Sequence, residues 1–209
     1  PLIAAKFKLL KLIEAIMEFD GKVAIVTGAS TGRGEIIAEE LFNQGASVVI
    51  AARHEEQAQV VGDRLDPSGE RVHICKTDVR DHLSVENLIN STLRRFGALH
   101  FAVNNAGITV PAGRGIPDYE ISDWEDVMAT DLSGVFFCLK YEIPAIIKSG
   151  GGAIVNMSSG NGVVGLTGLA AYTAAKHGIL GLTRSAALES ADKGVRINAV
   201  GPGMLIRPE

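Results

Sequence analysis

The sequence predicts an α/β fold in which a doubly wound parallel sheet of six strands lies between two layers of helices. Three observations lead to this prediction: short apolar runs rich in β-branched residues, helix-like stretches between them, and glycine-rich turns where the runs end. Apolar runs that are continuous rather than alternating are typical of strands buried on both faces. Strands that alternate with helices form parallel sheets covered on both sides. The expected architecture is therefore a three-layer α/β/α, Rossmann-like domain.

The predicted elements follow each other in a regular order. The strands are Val23–Thr27, Ser47–Ala52, Arg71–Lys76, Leu99–Asn104, Ala153–Met157 and Val195–Val200. The helices are Gly34–Asn43, Glu55–Leu65, Ser84–Phe96, Ser122–Tyr141 and Leu169–Ala191. Long loops follow the fourth strand, around Pro111–Pro117, and the fifth strand, at Ser159–Gly168. Open α/β sheets bind ligands at the carboxyl ends of their strands, so both loops are expected to border a site.

Composition and charge exclude several classes of protein. The chain has 209 residues, 46% of them hydrophobic, and a formal net charge of −4. This apolar content argues against disorder, and the slightly acidic balance argues against a nucleic-acid binder. The two cysteines are too few for a disulfide scaffold and suit a reducing compartment, so a cytoplasmic location is expected. No apolar run reaches the roughly 18–20 residues of a spanning helix, so no transmembrane segment is expected.

Residues 1–19 differ in pattern from the rest of the chain. Lys6, Lys8 and Lys11 lie inside an apolar stretch rather than before it, unlike the charges of a signal peptide. The segment is interpreted as an N-terminal amphipathic extension or a cloning remnant, with a helix on a membrane surface as the alternative and Met17 as a candidate start. Residues 20–209 are expected to form a single domain.

The first predicted strand runs into a glycine-rich turn and then a helix. Glycines let the backbone turn tightly and approach a pyrophosphate, while a helix N-terminus offers free N–H groups and a positive dipole end. The spacing Gly-x-x-x-Gly-x-Gly lacks the Gly-Lys-Ser/Thr ending of a nucleotide-hydrolysing loop. The turn therefore predicts a dinucleotide site, with an ordinary strand–helix connection as the alternative. The candidate cofactor-binding residues here are Gly28, Ser30, Thr31, Gly32, Arg33 and Gly34.

The end of the second strand bears on the choice of cofactor. A carboxylate there binds the ribose hydroxyls of NAD, whereas an arginine suits the 2′-phosphate of NADP. The strand ends in Ala51-Ala52-Arg53, while Glu55 and Glu56 are expected to open the next helix. NADP(H) is therefore preferred, with NAD(H) as the alternative. Arg33 adds to the same positive field, although Arg53 as a plain solvated charge stays open.

A candidate catalytic group comes from three separate segments. Tyr172 and Lys176 are four residues apart on a predicted helix and hence lie on one face. Ser159 stands thirteen residues earlier, at the end of the fifth strand. The sequence Asn104-Asn105-Ala106-Gly107 ends the fourth strand.

With these residues, the chain resembles a short-chain dehydrogenase/reductase from about Gly21 to Gly203. The resemblance is carried by the glycine turn, Asp78 after the third strand, Asn-Asn-Ala-Gly, Ser159, Tyr-x-x-x-Lys, and Pro202-Gly203 after the sixth strand. It is similar in particular to bacterial members named glucose or alcohol dehydrogenases. The resemblance implies a dinucleotide-binding catalytic domain, a small-molecule carbonyl or alcohol substrate, no metal, and a homodimer or homotetramer.

The resemblance also implies a role for each matching residue. Tyr172 would be the general acid in reduction and the base in oxidation. Because an unperturbed tyrosine has a pKa of about 10, a neighbouring cation is needed to lower it, and Lys176 would supply that cation and bind the nicotinamide ribose. Ser159 would hydrogen-bond the substrate oxygen. The remaining matches would bind the cofactor, and they are Asp78, Val79, Asn105, Ala106, Gly107, Pro202 and Gly203.

Two features depart from the family pattern. The family has a catalytic Asn on the central helix, and Asp131 stands in its place. A carboxylate near Lys176 would offset the field on Tyr172 and slow the reaction or move its optimum to higher pH, unless Asp131 only bends or caps the helix. The family also continues for some tens of residues beyond Pro-Gly, whereas this sequence ends at Glu209, so we expect either an incomplete sequence or a truncated protein. These departures keep open a cofactor-binding protein with impaired or no turnover.

Overall fold

The strands coincide with the most apolar runs of the chain. A computed structural model describes residues 18–109 and 113–203, which form one sheet of six strands in the order β3-β2-β1-β4-β5-β6. Every neighbouring pair is parallel. The strands are β1 (Val23–Thr27), β2 (Ser47–Ala52), β3 (Val72–Lys76), β4 (Phe101–Asn104), β5 (Gly152–Met157) and β6 (Val195–Val200). The doubly wound parallel sheet is thus confirmed.

Helices connect successive strands and cover both faces of the sheet. They are α1 (Gly32–Asn43), α2 (Glu55–Leu65), α3 (His82–Phe96), α4 (Ile121–Val127), α5 (Gly134–Lys148) and α6 (Ala170–Ser190). On one face, α1 and α2 bury Ala38 and Ala58 against β1 and β2. On the other face, Leu88 of α3, Ile146 of α5 and Ile179 of α6 pack together with the sheet. The two apolar clusters give the three layers that were predicted.

Several element ends differ from the prediction by one or two residues. Strand β3 begins at Val72 rather than Arg71, and the Arg71 guanidinium donates hydrogen bonds to the carbonyl oxygens of Phe42 and Ala46. Helix α3 begins at His82, not Ser84, because the Asp81 side chain accepts a hydrogen bond from the Leu83 N–H and caps the first turn. Such shifts accompany specific hydrogen bonds that periodicity does not reveal.

The long helix predicted from Ser122 to about Tyr141 is present, but it differs from the prediction in two respects. First, α4 and α5 are joined by a π-helical segment, Met128–Ser133, which contains the buried Asp131. Second, the helix continues through Pro144 to Lys148. Proline weakens a helix interior by removing one N–H donor, but here the turn around it is held by the buried Ala145 and Ile146.

The prediction made for residues 1–19 concerns a segment that lies almost entirely outside the described residues. Phe19 is described, and its ring packs edge-to-face on Phe101 with 5.2 Å between the centroids. In the described part of the chain, no helix combines the length and apolarity that crossing a bilayer requires.

The sheet order places a crevice at its centre. Strand β1 pairs with both β2 and β4, and the chain leaves these two neighbours toward opposite faces of the sheet. In doubly wound sheets this reversal leaves a gap above the carboxyl ends of the strands, and ligands bind there. The glycine turn after β1 and the Asn-Asn-Ala-Gly segment after β4 both begin at this gap.

Candidate active site

The glycine turn between β1 and α1 depends on glycine at two positions. Gly28 has a φ of +66°, and a Cβ atom there would lie 3.0 Å from the Cα of Ala106. Gly34 is buried in the first turn of α1, where a Cβ atom would collide with the Gly28 carbonyl oxygen and lie 2.6 Å from Asn105 Nδ2. The turn can therefore close tightly only without side chains, which leaves the N-terminus of α1 facing the crevice.

Thr27 and Asn105 fasten this turn to the end of β4. Thr27 Oγ1 accepts hydrogen bonds from the N–H groups of Asn105 and Ala106, each at 3.0 Å. In return, Asn105 Nδ2 donates to the carbonyl oxygens of Thr27 at 3.0 Å and Gly28 at 3.3 Å. Sequence reasoning assigned no role to Thr27, although a hydroxyl at the end of a buried strand was a signal that it has a specific partner.

A cleft of about 410 Å³ opens at this point. It is lined by the whole glycine turn, the end of β2, the segment after β3 and the segment after β4. The predicted cofactor residues in its wall are Gly28, Ser30, Thr31, Gly32, Arg33, Gly34, Arg53, Asp78, Val79, Asn105, Ala106 and Gly107. The wall also contains residues that the sequence did not single out, among them His54, Gln57, Thr77, Ile108 and Thr130.

Positive charge dominates the mouth of this cleft. Arg33 and Arg53 lie in its wall, and neither belongs to an ion pair among the described residues. The acid in the wall, Asp78, is held by the guanidinium of Arg80 at 2.7 Å. That hydrogen bond keeps the pKa of Asp78 below its usual range. Glu55 and Glu56 lie in the first turn of α2 as predicted and outside the wall.

Lys176 forms a buried centre beside the cleft. Its Nζ lies 3.0 Å from Asp131 Oδ2 and donates a hydrogen bond to the Met157 carbonyl oxygen at 3.1 Å. The same atom lies 5.3 Å from the centre of the Tyr172 ring. The side chain of Lys176 is 5% exposed, so its charge is compensated mainly by Asp131.

Asp131 connects this centre to the cleft. Its Oδ1 accepts a hydrogen bond of 2.7 Å from the N–H of Ile108, which lines the cleft. Burial raises the pKa of Asp131, while Lys176 and the Ile108 N–H act in the opposite direction. A Cβ atom on Gly107 would lie 2.9 Å from Asp131 Oδ2, so glycine is what allows the carboxylate to approach. The carboxylate near Lys176 that the sequence led us to expect is present.

The two serines at the end of β5 have different surroundings. Ser158 is buried and donates its hydroxyl hydrogen to the Lys176 carbonyl oxygen at 2.9 Å. Ser159 is partly exposed, and its Oγ accepts a hydrogen bond from the Asn161 N–H at 3.2 Å. Of these two serines, Ser159 is therefore the one whose hydroxyl hydrogen can still be donated to a ligand.

The segment after β6 lies against the same loop. The Pro202 carbonyl oxygen accepts a hydrogen bond from the Gly160 N–H at 3.0 Å, next to Ser159. Gly203 is the last described residue. Ser159, Tyr172, Lys176, Pro202 and Gly203 do not line the cleft itself. The predicted residues thus form two groups, which the contact between Ile108 and Asp131 joins.

The cleft suits the chemistry of a dinucleotide. Thr31 precedes α1 without capping it through its side chain, so the backbone N–H groups of the first turn are available to a pyrophosphate. Gly32 has a φ of +59°, and a Cβ atom there would meet nothing within 4 Å. This opening, together with Arg33 and Arg53, can accommodate negative charge.

Comparison with known proteins supports the same assignment. The family model described as short chain dehydrogenase matches residues 22–206. The chain is 41% identical over 198 residues to a cyclohexanol dehydrogenase of an Acinetobacter species, covering 94% of this chain and 78% of that protein. It is 38% identical to the 3-oxoacyl-(acyl-carrier-protein) reductase of Escherichia coli, covering 90% and 75%.

A solved structure agrees with these sequence matches. It is a crystal structure described as that of a short-chain alcohol dehydrogenase from Sinorhizobium meliloti, with a TM-score of 0.85 and 35% sequence identity. The match covers 91% of this chain and 75% of that one. Fold, site geometry and similarity therefore agree that this chain belongs to the short chain dehydrogenase family.

Proposed function

We propose that this chain is an NADP(H)-preferring oxidoreductase that interconverts a carbonyl compound and a secondary alcohol by hydride transfer. The observation that carries the proposal is the arginine-rich cleft of the glycine turn next to the Tyr172–Lys176 centre. The relatives support the reaction class, since they are named as a cyclohexanol dehydrogenase, a 3β-hydroxysteroid dehydrogenase and a 3-oxoacyl reductase. By this proposal the protein is cytoplasmic and acts as a homodimer or homotetramer.

Each residue has a defined task in the proposed reaction. The nicotinamide, when bound, supplies or accepts the hydride. The carbonyl oxygen that gains negative charge needs a hydrogen bond and a proton, which Ser159 and Tyr172 provide. Lys176 supplies positive charge beside the phenol ring, 5.3 Å from its centre. In alcohol oxidation Tyr172 takes the proton instead.

The preference for NADP(H) rests on charge. Arg53 directly follows β2, at the place where a carboxylate would bind the ribose hydroxyls of NAD(H), and Arg33 lies in the same wall. Guanidinium groups bind phosphate through paired hydrogen bonds. Arg33 and Arg53 could therefore bind the 2′-phosphate of NADP(H), a group that NAD(H) lacks.

Calorimetric titration with NADPH and NADH tests the cofactor assignment. We expect tighter binding of NADPH, and Arg53→Ala should weaken NADPH binding by roughly tenfold or more while changing NADH binding little, because a charge-assisted hydrogen bond contributes about 1.5–3 kcal/mol. Arg94→Ala, which removes an exposed arginine from α3, is the matched control. Equal loss for both cofactors would contradict a role for Arg53 in reading the phosphate.

A second function is favoured by one observation, the ion pair between Asp131 and Lys176. If Asp131 compensates the positive charge of Lys176 that Tyr172 needs for proton transfer, the chain binds the cofactor without turnover. Substrate-dependent loss of NADPH absorbance over a panel of ketones separates the two functions. Tyr172→Phe should abolish that signal and leave NADPH binding nearly unchanged; activity retained by this variant would overturn the role of Tyr172.

A further inference from the structure

Glu142 of α5 is a fully buried acid that the proposed reaction does not use. Its side chain is 0% exposed and belongs to none of the ion pairs among the described residues. Its Oε2 accepts a hydrogen bond from Asn104 Nδ2 at 2.9 Å, while Oε1 has no partner. An ionised carboxylate in this setting would be buried without a compensating charge, which is costly.

A chain of hydrogen bonds leads from Glu142 through the middle of the domain. Asn104 Nδ2 also donates to Asn156 Oδ1 at 3.0 Å, and Asn156 Nδ2 donates to Thr183 Oγ1 at 3.0 Å. All of these residues are buried. The chain joins α5 to the last residue of β4, to β5 and to α6, and the ends of β4 and β5 and the helix α6 each lead into or carry part of the candidate site.

The two middle members of this chain, Asn104 and Asn156, are close in sequence to residues of the site. Asn104 precedes Asn105, which clasps the glycine turn through Thr27 and Gly28. Asn156 precedes Met157, whose carbonyl oxygen accepts the hydrogen bond from Lys176. A shift of Asn104 or Asn156 would therefore be transmitted to both the cleft and the Lys176 centre.

We propose that Glu142 is a positioning residue, held as a neutral carboxylic acid in the folded protein, and that its hydrogen-bonded chain through Asn104, Asn156 and Thr183 keeps the carboxyl ends of β4 and β5 in place for cofactor binding. The part of this inference that concerns cofactor rests on the proposed function; the protonation and the ordering of the strand ends do not.

Protonation removes a negative charge that the surroundings of Glu142 do not compensate. Two buried acceptors, Glu142 Oε1 and Asn104 Oδ1, lack partners. A carboxylate can only accept hydrogen bonds, whereas a carboxylic acid carries one donor and no charge. A titratable neighbour on the same helix is Cys138, a buried thiol. Burial, and then Glu142, raise its pKa well above the usual value, so the thiol stays neutral. Cys138 therefore offers no positive charge that could compensate a carboxylate.

The sign of the pH dependence follows from the two states of the chain. Burial raises the pKa of Glu142 from an ordinary 4.5 to about 7, against the lowering effect of the Asn104 hydrogen bond. Between these values the folded protein holds a proton that the unfolded chain releases. The contribution of Glu142 to the free energy of unfolding is therefore fully present below pH 4.5 and decreases as the pH rises toward 7. Above about pH 7 it stays at its lower level.

Glu142→Gln tests the inference because it keeps the shape of the side chain and removes the titration. Glu189→Gln, which changes an exposed glutamate of α6, is the matched control.

The wild-type infrared spectrum at pH 6 should contain a protonated carboxyl band that Glu142→Gln lacks. This band should disappear as the pH is raised past about 7. In urea unfolding, we compare the equilibrium constant for unfolding of the wild type with that of Glu142→Gln. Their ratio should rise with pH between 4.5 and about 7. The rise should be at most about tenfold per pH unit, which is the limit for one proton. A ratio that does not change with pH would overturn the assignment of the proton.

Amide hydrogen exchange tests the positioning. Above about pH 7, the wild type should lose protection relative to Glu142→Gln at the amides of Asn105, Ala106 and Ser158, but not at those of β2. Equal protection of these amides in the wild type and Glu142→Gln would overturn the positioning role.

NADPH affinity should also weaken above this pH in the wild type and the Glu189→Gln control, but not in Glu142→Gln. If the wild type binds no nicotinamide cofactor at any pH, the proposed function fails, while the infrared and exchange results still decide the role of Glu142.

Discussion

At the scale of single residues, the contact between Asp131 and Lys176 decides how much positive charge acts on Tyr172. The two side chains are 0% and 5% exposed, and their charged atoms are 3.0 Å apart. Opposite charges this close compensate each other strongly, and burial removes the screening by water. Lys176 therefore acts on Tyr172 with a weaker field than a lysine beside a neutral amide would.

Asp131→Asn should increase the rate of alcohol oxidation and move its pH profile downward, because a cation that no carboxylate opposes favours loss of the proton from a neighbouring group. The amide oxygen of the new side chain can still accept the Ile108 hydrogen bond, so the π-helical segment should be retained. Rates of cofactor reduction measured from pH 6 to 10 check this, with Asp192→Asn as an exposed control. An unchanged profile would favour the alternative that Asp131 only shapes the helix.

At the scale of elements, the close approach of α1 to the end of β4 depends on Gly34. A Cβ atom there would collide with the Gly28 carbonyl and crowd Asn105 Nδ2. Gly34→Ala should push α1 away from the glycine turn at a cost of about 1–3 kcal/mol. We expect NADPH affinity to fall by roughly tenfold or more, in proportion to that cost.

Gly181→Ala is the control for this substitution, because a Cβ atom at Gly181 in α6 would meet nothing within 4 Å. It should stabilise the protein by about 0.5–1 kcal/mol through helix propensity and leave cofactor binding unchanged. Calorimetric titration and thermal unfolding of both variants give the comparison. Equal behaviour of the two alanines would show that α1 does not need its close contact with β4.

The elements also show how far sequence reasoning reaches. β1 and β2 match their predicted bounds because buried parallel strands are continuous apolar runs. β6 also matches, although Arg196 and Asn198 are exposed in it. The π-helical segment was missed, since one extra residue in a helical turn leaves no mark on a pattern of period 3.6. In the site, motif spacing indicated most residues of the cleft wall, whereas the hydrogen bond that holds the buried Glu142 joins residues 38 positions apart and depends on the tertiary fold. Glutamate is usually exposed, so its helix position alone gives no sign of burial.

At the scale of the whole molecule, the helices α4 and α5 lie on the outside of one layer and expose aromatic side chains. Phe136 of α5 is 49% exposed and Trp124 of α4 is 40% exposed, while Leu83 of α3, which packs beside α5, is 60% exposed. Large apolar side chains exposed on the same layer are consistent with a protein interface. We propose that this layer forms the contact of the expected homodimer or homotetramer.

Phe136→Glu should shift the protein toward the monomer, because a closed symmetric interface buries the same residue in both subunits and would bring two carboxylates out of water. Sedimentation velocity over a range of concentrations measures the distribution of species. Val60→Glu is the matched control, since Val60 is 69% exposed on α2, across the sheet. If Val60→Glu dissociates the assembly and Phe136→Glu does not, the contact lies on the α1–α2 layer instead. If the wild type is a monomer at every concentration, the exposed aromatic layer has no partner in a second copy of this chain.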